Sequence, residues 1–239
     1  MRKLFITLLS IASITFANAQ GKSPISSVTG RPGDHFMFQA GIDSWSGTIP
    51  DSIKSHVKSI GRGANVYLML NKPFKTNPKM SIAFGVGVGT NNIYLDKMSA
   101  DIKSTSTKLP FPNLDSSQHF KKYKISTAYL EVPLELRFTK DPANEGKSLK
   151  VALGVKVGTM LNAHTKGKTL LSSSAQTIGS YTEKESSKKY FNSTRLTATA
   201  RIGLGHFSLY GNYQLGSLFK DGVAPQVKPL QIGLCISGL

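Results

Sequence analysis

With one cysteine, Cys235, in 239 residues, the chain can build neither an internal disulfide framework nor a cysteine-based zinc site. Acidic residues are also scarce, thirteen Asp plus Glu against thirty Lys plus Arg, for a formal net charge of +17. Beyond residue 19 nowhere do about 18 apolar residues follow one another, which excludes a transmembrane helix there. The histidines (His35, His56, His119, His164 and His206) are scattered without the spacing of metal ligands, so no metal is expected. Gly85-Val86-Gly87-Val88-Gly89 lacks the G-x-G-x-x-G spacing and precedes no helical pattern. It reads as a glycine-lined strand, not a nucleotide loop, and no cofactor is expected.

What is present begins with an export signal. Arg2 and Lys3 start the chain, Leu4 to Phe16 is an apolar run too short to cross a bilayer of roughly 30 Å, and Ala17-Asn18-Ala19 offers a small-x-small cleavage site. Residues 1–19 are therefore assigned to a signal peptide, 20–33 to a short N-terminal periplasmic segment, and 34–239 to one folded domain. Without Arg2 and Lys3 the net charge falls from +17 to about +15. In an exported protein that excess points to anionic lipid or polysaccharide and not to nucleic acid.

The dominant pattern is period-two alternation, which sends successive side chains to opposite faces of a strand. It recurs eight times. Phe36, Phe38, Ala40 and Ile42 share a face; so do Ala64, Val66, Leu68 and Leu70, then Ile82, Phe84, Val86 and Val88. The longest series is Ala128, Leu130, Val132, Leu134, Leu136 and Phe138, followed by Leu149, Val151, Leu153, Val155, Val157 and Leu161. Three more are carried by Leu196–Leu204, Phe207–Leu215 and Leu230–Ile236. Long polar connections (44–61, 95–122, 165–189 and 216–227) alternate with short ones (72–79, 139–148 and the Gly205-His206 corner). That asymmetry predicts an all-β fold: an eight-stranded antiparallel up-and-down transmembrane β-barrel with long extracellular loops, short periplasmic turns and both termini in the periplasm.

A soluble, lipocalin-like carrier would use the same strands with its faces exchanged. Two features favour the membrane arrangement. The aliphatic rows carry almost no charge, as hydrocarbon requires, and the opposite face is lined by small residues, among them Gly85, Gly87, Gly89, Gly154, Gly158, Gly203 and Gly233. That second face also holds Glu131, Glu135, Arg137, Lys156, Arg195 and Arg201. Charges inside a narrow barrel must pair, so a salt-bridged structural plug is expected, with Glu131 and Glu135 meeting Lys156 and the arginines. Acid–base catalysis by the two glutamates is the competing reading. Their spacing already follows from inward alternation, and no Ser, His and Asp are brought together, so no enzymatic activity is expected. A small pore or transporter remains the alternative.

The loops carry basic clusters: Lys54, His56, Lys58 and Arg62; Lys103, Lys108, Lys121, Lys122 and Lys124; and Lys166, Lys168, Lys184, Lys188 and Lys189. These suit outer-membrane lipid and lipopolysaccharide phosphates as partners. Trp45, Tyr94, Tyr123, Tyr190, Phe191 and Phe219 fall near strand ends, where aromatic girdles belong.

The stretch Thr127-Ala128-Tyr129-Leu130-Glu131-Val132-Pro133-Leu134-Glu135-Leu136-Arg137 resembles the "YLE-P-LEL" strand of an outer-membrane β-barrel family common in Bacteroidetes, which includes the PorT-like proteins associated with type IX secretion. The glycine-alternating strands at 83–89 and 154–158 are similar to the same family. The resemblance implies the barrel fold, a place in the outer membrane, and envelope or secretion-system proteins as partners. It carries over no catalytic or ligand-binding residue.

Overall fold

Strands with one apolar and one polar face must bury or solvate each face consistently, and a ring is the arrangement that leaves no unpaired edge. In the computed structural model, which describes residues 36–238, the strands are β1 (Phe36–Thr48), β2 (Gly63–Pro73), β3 (Met80–Leu95), β4 (His119–Thr139), β5 (Leu149–Leu171), β6 (Thr177–Ser186), β7 (Thr194–Leu204), β8 (Phe207–Gln214) and β9 (Gln226–Ser237). The signal peptide and the 20–33 segment assigned above lie outside the described residues, as do residues 34 and 35. Every pairing is antiparallel. The ring runs β1-β2-β3-β4-β5-β7-β8-β9 and closes where β9 returns to β1, from Met37 opposite Ser237 to Thr48 opposite Gln226.

Eight strands therefore form the barrel, and the ninth, β6, stands outside the ring and pairs only with the distal half of β5. Its residues belong to the stretch 165–189 expected to be loop. The segment is exposed on both faces and has no apolar side to betray it. β4 and β5 are likewise longer than their alternation suggests, reaching 21 and 23 residues. A bulge sets Ala128 opposite Asn162 but Tyr129 opposite Met160, so Leu161 is the extra residue on β5. Before it, Lys156, Gly158 and Met160 turn inward; after it, Ala163 and Thr165 do.

The expected aliphatic rows face outward. Leu68, Val132, Leu134, Leu153, Val157, Ile202, Leu209 and Leu234 are all exposed, forming a belt around the ring. No water-soluble protein would leave so large a continuous apolar surface bare. Val132 lies in the middle of that belt. Val132→Arg should cost the refolded barrel about 2–4 kcal/mol in lipid, read as a lower urea midpoint in vesicles. A change within ±0.5 kcal/mol would mean that this face does not meet hydrocarbon.

Candidate functional site: the filled lumen and the loop cap

Each inward strand residue enters a space only a few side chains wide, so its neighbours must be small or must bond to it. Glu131 shows both. Its partners in register on the adjoining strands are Gly87 and Gly158, and Glu135 is flanked in the same way by Ala83 and Gly154. A Cβ on Gly89 would run into the Glu131 carboxylate and the Arg195 guanidinium. The small residues of the polar face thus clear the volume that the charged side chains occupy.

All six charged residues predicted for the interior are at most 8% exposed. They form two separate groups. Near the middle of the lumen, Arg195 donates from Nε and Nη2 to Glu131 Oε1, each at 2.7 Å, and from Nη1 to Asn91 at 2.7 Å. The guanidinium also lies 4.0 Å from the centroid of the Tyr129 ring. Glu131 Oε2 accepts the Tyr67 hydroxyl at 2.5 Å. Closer to the short turns, Glu135 Oε2 accepts Arg201 Nη2 at 2.7 Å and Arg137 Nε at 3.0 Å.

Lys156 corrects the expectation that it would meet the glutamates. Its register partner is Pro133, between them, and its ammonium makes no ion pair within 4.0 Å among the described residues. Instead it crosses the lumen, donating to Gln39 at 3.2 Å and Tyr67 at 3.1 Å while lying over the Tyr67 ring. Its link to Glu131 therefore runs through the Tyr67 hydroxyl. An amide network continues from Gln39 through Asn65 and Gln231 to Asp43.

Above this layer the long connections fold into something the sequence did not suggest. Ile53, Leu95, Met98, Ile102, Leu109, Tyr190, Phe191, Leu218 and Phe219 form one buried apolar cluster with the inward residues at the top of the barrel. Phe219 is its centre, with ring centroids 5.2 Å from Phe191, 6.0 Å from Trp45 and 6.2 Å from Phe111. The expected aromatic girdle is thereby corrected. Tyr190, Phe191 and Phe219 are buried in the loop core, with Tyr123 beside them, while Tyr94 stays half-buried on β3. An aromatic side chain at a strand end buries more surface against its own loops than at a lipid interface, and here the loops are long enough to enclose it. The loops are also tied to one another by polar contacts: Tyr190 donates to the carbonyls of Ser104 and Ser106, and His56 meets Asp115 at 3.2 Å. Hydrogen bonding from Asn113, then from His56, holds the exposed Asp115 carboxyl below its ordinary range.

A closed antiparallel ring, aliphatic outside and polar inside, with long loops at one end and short turns at the other, defines an outer-membrane β-barrel. The family comparison says the same of the sequence: residues 20–220 match the outer membrane protein beta-barrel domain, and the chain belongs to that family. The protein is accordingly an outer-membrane protein. Among solved structures, that of Ail, the attachment invasion locus protein of Yersinia pestis, there in complex with the heparin analogue sucrose octasulfate, is similar to 84% of this chain and 94% of its own. Its identity is 14% and its TM-score 0.37. No curated protein matches.

Proposed function

We propose that the protein is a non-conducting barrel with a structural and interaction role at the cell envelope, and that its interior charges serve to close the lumen and fix strand register. The observation that carries this reading is the double closure, an ion-paired lumen beneath an apolar loop cap. Among the described residues, the hollows beside the ion-paired groups of the lumen are about 30 Å³ near the short turns and about 10 Å³ beside Glu131, Lys156 and Arg195, while a larger one of about 370 Å³ lies higher up, between β4, β5, β6 and the loops. The two small volumes hold about one or two waters, not a solute path. In planar bilayers the purified protein should give no unitary conductance above the lipid baseline. Stable open steps would favour the pore or transporter reading.

A finer role, PorT-like support of protein secretion with envelope proteins as partners, is supported by the resemblance of the Thr127–Arg137 strand. Deleting the protein should then retain exported cargo inside the cell; undiminished secretion would remove this role and leave the closed barrel standing.

A further inference from the structure

We propose that the outer face of the β4–β5–β6 sheet binds phosphate groups of outer-leaflet lipopolysaccharide, through lysines that the strand register sets side by side. This names a partner for the interaction role proposed above and rests on that reading, but not on the lumen being closed.

The basic residues expected on two separate loops are in fact carried by adjoining strands of one sheet. Lys124 on β4 is directly opposite Lys166 on β5, which is directly opposite Lys184 on β6. The next rung sets Lys122 opposite Lys168. His164, paired with Ser126 and Ser186, flanks the row on its other side. Like charges directly opposite one another destabilise a sheet, and here three share one row. Among the described residues none of these lysines makes an ion pair within 4.0 Å. The hydrogen bond from Lys124 to Asn92 at 2.6 Å goes to a neutral amide. The residues that face the row from β3, Asn92 and Tyr94, add no negative charge.

The acids of β6 are placed elsewhere. Glu183 and Glu185 pair with Gly167 and Thr165, on the opposite face of the sheet, where they line a hollow with Tyr123 and Asp101. Charge is thus sorted by face: acid behind, lysine in front.

Height and direction select the occupant. On β4 the even-numbered side chains from Leu130 to Phe138 form the lipid-facing row, and Lys124 continues that same face beyond it. At a strand rise of about 3.4 Å and a tilt of about 40°, the lysine row stands roughly 13–16 Å above the last aliphatic residue of each strand. What lies beside that surface is the headgroup layer of the outer leaflet, whose phosphates complement ammonium groups. A soluble acidic protein would have to displace lipid to reach it.

The test uses the full mature barrel in nanodiscs, titrated with bisphosphorylated lipid A, with dephosphorylated lipid A and with inorganic phosphate. The wild type should prefer the phosphorylated lipid by about 100-fold, and added salt should erode the preference. The triple variant Lys124→Gln, Lys166→Gln, Lys184→Gln should lose it, and Lys166→Gln alone should lose about 5-fold. A control with the same charge change at the short turns, Lys72→Gln, Lys79→Gln, Lys140→Gln, should keep it. Removing the repulsion should also make the triple variant at least as heat-resistant as wild type without lipid A, and less resistant than wild type with it. Equal capture of both lipids, equal loss in the control, or competition by free phosphate as effective as by the lipid would each overturn the proposal. So would a triple variant that keeps lipid A and loses only an acidic protein partner. Conductance of the wild type would refute the closed-barrel reading and leave this one intact.

Discussion

Replacing Glu131 with alanine should lower the unfolding free energy of the barrel by about 3–5 kcal/mol, the usual cost of breaking a buried ion pair from one side. Two donors depend on this carboxylate: the Arg195 guanidinium through Oε1 and the Tyr67 hydroxyl through Oε2. Removing it leaves a buried guanidinium with no counter-charge, held only by Asn91 and the face of Tyr129. The Tyr67 hydroxyl would keep only its bond from Lys156. Removing both charges is a different experiment. With Glu131→Met and Arg195→Met together the desolvation term disappears, and the pair of changes should cost much less than the single one. Urea titration of the refolded protein, scored by the gel shift between boiled and unboiled samples, separates the two. A single variant within about 1 kcal/mol of wild type would show that the lumen network does not hold the ring together.

The second large effect is expected at Phe219, which is fully buried where the first, second, third and fourth long connections meet. Phe219→Ala removes the ring that Trp45, Phe111 and Phe191 pack against. Large-to-small changes of this kind cost about 3–5 kcal/mol. Here the cost should be local. Residues 95–115 and 216–225 should lose amide protection while the membrane strands keep theirs, because the ring closes through its own ladders below the cap. Hydrogen exchange measured by fragment checks this. Unchanged protection in the connections would mean that the apolar cluster does not order them.

The inward face was legible because alternation is a strict consequence of strand geometry. Once Leu130, Val132 and Leu134 are assigned outward, Glu131 and Glu135 have nowhere else to point. The partner of Lys156 was not legible. Pairing across a lumen depends on which strands stand diametrically opposed after closure, and Gln39 and Tyr67 belong to β1 and β2, far from β5 in the chain. The upper halves of β4 and β5 were hidden for another reason. Beyond Ala128 the apolar side chains of β4, Tyr123 and Ile125, turn inward to the loop cap, whereas below it the apolar ones turn outward. The alternation continues with its meaning exchanged, and a reading that follows one apolar row ends the strand at the exchange. The loop cap is not legible in the sequence because its members, such as Met98, Ile102, Leu109 and Phe219, are single apolar residues in polar stretches that converge only in three dimensions.

That exchange of faces marks a waterline on the molecule. Below it an outward aliphatic residue gains from hydrocarbon; above it the same position carries Lys124, Lys166 or Lys184. Sinking the barrel by one residue pair, about 5 Å of height on a tilted strand, would press those ammonium groups toward the acyl chains. Raising it by as much would bare a ring of aliphatic side chains to water. The draught of the protein is therefore set by its own strands, and a bilayer of different thickness must deform to meet it.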